Sequence, residues 1–273
     1  MNSPRRTSLA TGGLFIVATV AVLAAAAVVP SLTGTDYLIA VADQPTRLAA
    51  AALLYLIAAG SSVGIAIALY PLLKRINTAL AVGSVVFRTI EAVFYTAAVV
   101  TLLSLPLLGR QLGTAPADDR AAIQLLAEVL LGMREHSTLV GVFAFTVGAL
   151  MYYLVFYRAR LVPRWLSGWG IAATLLMMTA CLLSLFSDNP VTGYTFLFMP
   201  ILVQEMVLAG WLLVKGISRS APPSTATFDS SIVTGTNATP ARSAAAPTFS
   251  GSSPAATTPA PVVGVLDLHT PNS

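Results

Sequence analysis

Residues 81–105, AVGSVVFRTIEAVFYTAAVVTLLSL, form a continuous apolar run whose only charges are Arg88 and Glu91. A run of this length is what crosses roughly 30 Å of hydrocarbon. In lipid it has to be helical, because an open strand would leave its backbone hydrogen bonds unmade. A charge at mid-span costs about 2.5 to 3.5 kcal/mol even on the lenient insertion scale. The run therefore fixes the solvent of this chain and marks one place in it where polarity needs an explanation.

Only 10% of the 273 residues are charged, against about a quarter in soluble domains, so the chain as a whole is read as a polytopic membrane protein with the bilayer as its partner. Six apolar segments lie near 9–30, 48–73, 79–107, 136–157, 165–187 and 195–216, which predicts an all-α transmembrane bundle over 1–219. Arg5 and Arg6 precede the first segment in the manner of a secretory signal. That segment is longer than the roughly 7 to 15 residues of a signal core, and the expectation is an uncleaved first helix.

Short loops rich in Lys and Arg stay in the cytoplasm. With the N-terminus inside, the cytoplasmic segments hold Arg5, Arg6, Lys74, Arg75, Arg158, Arg160, Arg164, Lys215 and Arg219 and no acid. The opposite loops hold Arg47, Arg110, Arg120 and Arg134 against Asp36, Asp43, Asp118, Asp119, Glu128, Glu135 and Asp188. The reading is a cell-membrane protein with both termini cytoplasmic. Removing any one span would exchange the sides of every later loop and destroy this asymmetry.

Two segments outside the spans have character. Residues 117–133 place Arg120, Gln124 and Glu128 on one helical face and Ile123, Leu126, Leu130 and Met133 on another, with Asp118 or Asp119 able to cap the first turn. This predicts an amphipathic helix on the outer membrane surface, or the overhanging start of the fourth span; it is either a lid over a cavity or a segment that floats on the bilayer. From 220 to 273 the chain is Pro, Ala, Ser and Thr with little apolar periodicity, which predicts a disordered cytoplasmic tail. Its Asn237-Ala238-Thr239 has the form of a glycosylation acceptor, irrelevant on the cytoplasmic side.

On the third span Ser84, Arg88, Glu91 and Tyr95 fall at i, i+4, i+7 and i+11, one stripe of a helix. Arg88 lies about 15 Å into its span at 1.5 Å per residue. Glu205, on the sixth span, reaches a similar depth from the other side, with Gln204 beside it and Pro200 above it to kink the helix. One Arg between two carboxylates leaves one negative charge in excess, so one carboxyl is placed to exchange a proton or accept a cation. Two readings stay open: a functional site, or a structural tie between helices three and six. His136, at the start of the fourth span, is a candidate proton relay or simply a solvated interface residue.

No HExxH, GxSxG, Walker A or GxGxxG pattern is present. His136 is the single histidine of the folded part, so neither a metal nor another cofactor is expected. Cys181 has no partner for a disulfide and reads as a packing residue. The excess of four positive charges is scattered over short loops, which does not make a nucleic-acid footprint. Gly60 and Gly64 in GSSVG, and Gly168 with Gly170, have the spacing of close helix contacts, the first pair being a possible homodimer seam.

The stretches LLYLIAAGSSVGIAIALYPLLKRINTALA, FRTIEAVF, YRARLVPRWLSGWG and QEMVLAGWLLVKG, together with His136 at the start of the fourth span, resemble the bacterial membrane family catalogued as domain of unknown function 4386. The resemblance covers roughly residues 3 to 217 and puts Arg88, Glu91, His136 and Glu205 at the family's polar positions. It carries no activity with it; the high Ala content resembles that of proteins from GC-rich bacteria, which would make the membrane a bacterial plasma membrane. Three functions fit the sequence. One is a small-solute or ion-coupled transporter with an Arg88, Glu91 and Glu205 midplane site; it shows no clear internal repeat and would call for a dimer. The others are an intramembrane enzyme acting on a lipid or isoprenoid, and a scaffold whose polar core is only structural.

Overall fold

The computed structural model describes residues 3–34, 36–187 and 189–217. The tail expected over 220–273 lies outside the described residues. Among the described residues seven α-helices follow in order: α1 (Ser3–Val28), α2 (Tyr37–Ala42), α3 (Pro45–Leu73), α4 (Thr78–Thr114), α5 (Ala117–Ala159), α6 (Arg164–Leu185) and α7 (Thr195–Val214), with a 3-10 turn at Val191–Tyr194. All except α2 are long and apolar enough to cross a membrane. The described residues thus make a multi-pass all-α membrane protein with six candidate spans.

The spans form a closed ring. Each packs on the next in sequence, from α1 through α3, α4, α5 and α6 to α7, and α7 packs back on α1. Arg5 draws the joint together by donating to the carbonyls of Leu213 at 2.7 Å and Val214 at 3.4 Å, and Ser8 Oγ accepts from Ile217 N at 3.0 Å. A cation on the unpaired carbonyls at a helix C-terminus is favourable on both hydrogen-bonding and dipole grounds. Below, the end of the ring that carries this joint is the terminal face, and the other is the far face.

Helix ends follow local chemistry. Asn77 caps α4 by accepting from Leu80 N at 3.0 Å. Arg160 ends α5 in the left-handed region at φ 52°, after which Leu161 N reaches back to Phe156 O and Leu161 and Val162 are buried. Pro163 then precedes the first turn of α6.

The amphipathic segment takes the second of its two expected forms. Residues 117–133 are the first turns of α5, which runs unbroken for 43 residues, about 65 Å at 1.5 Å per residue. That is twice a hydrocarbon core, so α5 and the similarly extended α4 stand clear of the other spans at the far face. Asp118 and Asp119 lie in the first turn without a capping hydrogen bond and act there through the helix dipole. The apolar face is turned from its expected phase: Ile123, Ala127 and Leu130 meet the core, while Leu126 and Met133 are about half exposed.

Two cores hold the ring. The larger fills the terminal half and includes Phe15, Leu69, Tyr152, Tyr153, Phe156 and Leu212. The smaller, at the far face, gathers Leu38 and Val41 of α2 with Leu102, Leu105 and Leu108 of α4. Gly109 makes that second core possible, because a Cβ there would lie 2.2 Å from the Leu38 carbonyl oxygen. Gly109→Ala is expected to lower stability by about 1 to 3 kcal/mol as α2 is pushed off. Gly113→Ala, one turn on with no atom within 4 Å of the new methyl, should lose nothing. Thermal unfolding in detergent compares the two, and equal losses would refute the close approach. Of the expected homodimer seam, Gly64 is already used inside the chain, its Cβ position 3.2 Å from Leu14, whereas Gly60 faces open space.

Candidate functional site

Arg88 is buried at the centre of the ring with 1% of its side chain exposed. Its Nη1 donates to Ser62 Oγ of α3 at 2.8 Å and to Glu91 Oε2 at 3.1 Å. Ser62 Oγ in turn donates to the same Glu91 oxygen at 2.7 Å, closing a triangle between α3 and α4. Nη2 donates to the Tyr152 hydroxyl of α5 at 2.9 Å. One face of the guanidinium lies 4.1 Å from the Phe145 ring centroid, a cation–π contact of the kind that gains strength when desolvated.

Glu205 of α7 is held differently. Its Oε1 is 3.8 Å from Arg88 Nη2, near enough for charge attraction but without a hydrogen bond, and that oxygen has no hydrogen-bond partner. Glu205 is also the wetter of the two acids, at 14% exposure against 3% for Glu91. A buried carboxylate oxygen without a donor costs free energy unless a proton, water or ligand meets it.

What Glu205 faces is a chamber of about 270 Å³ to which all six spans contribute, with Ser62, Arg88, Glu91 and Glu205 as its polar wall. A second cavity of about 280 Å³ lies toward the far face, lined by Tyr55, Arg134, Glu135, Thr138 and Val191 among others. Val22, Ala58 and Tyr95 line both, so the two cavities adjoin at these three side chains, called the neck below. Toward the terminal face the path ends on Phe15, Tyr152, Tyr153 and Phe156, each at most 1% exposed and in aromatic contact at centroid distances of 4.5 to 6.4 Å.

The sequence-derived residues thus divide. Arg88, Glu91 and Glu205 come together, and Tyr95 stands at the neck with its ring against Gly141. Gln204 does not join them. It is fully buried on another face of α7, accepting from Tyr153 at 2.5 Å and donating to the Leu166 carbonyl at 3.2 Å, and so ties α7 to α5 and α6. Neighbouring helical residues point about 100° apart, which is why adjacency to Glu205 was misleading. Ser84 is 1% exposed, lines neither cavity and has an unbonded Oγ; it belongs to the packed core below the site. His136 is exposed, its Nδ1 bonded to the Gly132 carbonyl at 2.7 Å, and it lines separate surface concavities rather than the chamber or vestibule. Pro200 sits within a continuous α7.

Ser62, Phe145 and Tyr152 were not singled out from sequence. Ser62 was hidden in GSSVG, where glycine spacing drew the eye. The adjacent Tyr152 and Tyr153 in an apolar run were a usable signal, since a hydroxyl in lipid needs a partner. Among the described residues, no group of three His, Cys, Asp or Glu side chains is placed to hold a metal.

These features define a six-span helical membrane protein with a partly open, charged chamber among its helices. A family model described as a domain of unknown function, DUF4386, matches residues 10–216, and the chain belongs to that family. The match runs from the first turns of α1 to the end of α7 and so takes in the whole ring. No curated protein and no solved structure matches the chain.

Proposed function

We propose that the protein is a proton- or cation-coupled carrier of a small solute, sited in the cell membrane with both ends of its six-span domain in the cytoplasm. The central site consists of Arg88 and Glu205, with Glu91, Ser62 and Tyr152 holding the arginine. The observation that carries this reading is the inequality of the two acids. A purely structural tie would satisfy both, yet Glu91 takes the hydrogen bonds while Glu205 keeps a partnerless oxygen at a chamber wall.

The asymmetry of the path supports the same reading. A vestibule and neck lead from the far face, and an aromatic layer closes the terminal face. That is one of the two end states that alternating access around a midplane site requires. Pro200, one turn before Glu205, leaves the Phe196 carbonyl without its helical donor and gives α7 a place to bend.

The test is proton movement into vesicles containing the purified protein and a trapped pH-sensitive dye. Under an imposed pH gradient, with each of a panel of small solutes added in turn, the wild-type protein should move protons with at least one of them, and Glu205→Gln should reduce that rate to that of empty vesicles while preserving the folded state. Equal rates for the two proteins would remove the proposal. Orientation has its own check. Reporters fused after residues 36 and 188 should appear outside, and those fused after 75, 160 and 219 inside; one reversed pair would refute the threading.

A further inference from the structure

The chamber also constrains what it accepts. We infer that its ligand is a small monovalent organic cation, a protonated amine with an apolar body, which pairs with Glu205 in exchange for a proton. This rests on the carrier reading above and names its substrate class.

Charge decides the sign of the ligand. Arg88 and Glu91 neutralise one another through the triangle with Ser62, which leaves Glu205 as the one negative charge in excess. For an anion the cation is largely occupied: both Nη1 hydrogens of Arg88 are given to Ser62 and Glu91, Nη2 gives one to Tyr152, and Phe145 covers a face of the group, which leaves one Nη2 hydrogen and the buried Nε–H.

The walls decide the rest. Ala18, Ile65, Val142, Met177, Ile201 and Leu202 make most of the lining apolar. A bare calcium ion would want six to eight oxygen ligands, and the Ser62 and Glu91 oxygens that face Arg88 are already engaged, which leaves chiefly Glu205, Thr19 and Tyr95. Its volume of about 270 Å³ is close to the lower end of small-molecule sites, roughly 300 Å³. An ammonium head on Glu205 with a hydrocarbon or aromatic body against the aliphatic wall satisfies both parts of the chamber.

The charged and titratable groups around Glu205 are Arg88, Glu91 and Tyr95 from α4 and Tyr152 and Tyr153 from α5. From α1, α3 and α6 the lining side chains near it include Thr19, Ser62 and Met177, none of which changes charge. The exchange balances at one site. An ammonium enters through the neck, the carboxyl O–H breaks, and the proton leaves by the vestibule, so the charge of the chamber is the same before and after.

The experiment is calorimetric titration of the full-length protein in detergent with benzylamine, using benzoate and benzyl alcohol as ligands of the same shape with other charges. Benzylamine should bind and the other two should not. Glu205→Gln should weaken benzylamine by at least about thirtyfold, the low end for removing one partner of a buried charge pair, while Glu205→Asp should retain most of the binding. Benzoate binding as well as benzylamine, or benzylamine binding unchanged in Glu205→Gln, would overturn the inference.

Ala58→Phe gives a second route should the Glu205 variants not fold. It fills the neck without touching a charge and should abolish or greatly slow benzylamine binding; unaltered binding would place the amine elsewhere and sink the idea. Failure of benzylamine to bind, with Glu205-dependent proton movement still present in vesicles, would reject the amine and leave the carrier reading standing. Loss of both would reject both.

Discussion

Replacing Arg88 with leucine is expected to destabilise the folded protein by about 3 to 5 kcal/mol, the range for removing one partner of a buried ion pair. The loss comes almost entirely from Glu91, which would be left 3% exposed with Ser62 as its sole remaining donor in the triangle. Arg88→Leu combined with Glu91→Gln should therefore recover most of the loss. Adding Glu205→Gln to that pair should change stability by less than about 1 kcal/mol, because Glu205 lines the chamber and takes no hydrogen bond from Arg88. Equilibrium unfolding in mixed micelles measures all four proteins. If the third substitution were needed for recovery, Glu205 would be as structural as Glu91, and the division of labour between the acids would be wrong.

The second large effect lies where α6 crosses α5. A Cβ on Gly170 would fall 2.5 Å from the Tyr153 ring, and that ring cannot retreat because it is fully buried and its hydroxyl is bonded to Gln204. Gly170→Val is expected to cost about 3 kcal/mol, the upper end of ordinary overpacking, and to weaken the α5 to α7 tie along with it. Gly168→Val, two residues earlier with its nearest neighbour the Tyr157 ring at 3.9 Å, should be close to neutral. Melting temperatures of the two variants side by side give the answer, and similar losses would show that the helices can slide apart.

That pair of glycines illustrates what the sequence could and could not disclose. Gly168 and Gly170 are equivalent as letters in an apolar helix, as are Gly60 and Gly64, and only the neighbours distinguish them. Depth was legible, because helical rise is a fixed distance per residue: Arg88, Glu91 and Glu205 were placed at one level by counting, and they meet. Azimuth was not, because it depends on which way each helix is rotated against partners far away in the chain. Hence Gln204 was assigned to the site from which it turns away, while Ser62, Phe145 and Tyr152, which hold Arg88, went unnoticed. The small helix α2 was also missed. Its six residues, YLIAVA, are too few to display a period, and what orders them is the bare backbone at Gly109.

The joint between Arg5 and the carbonyls of Leu213 and Val214 bears on how the molecule is made. Chains are synthesised from the N-terminus, so the first span must wait through the insertion of all the others for its final neighbour. Until α7 arrives, the wall that carries Glu205 is absent, while Arg88 already has its partners on α3, α4 and α5. The arginine's cradle can therefore be built before the chamber is, and the contact of Arg5 with the last turn of α7 belongs to the final step of closing the ring.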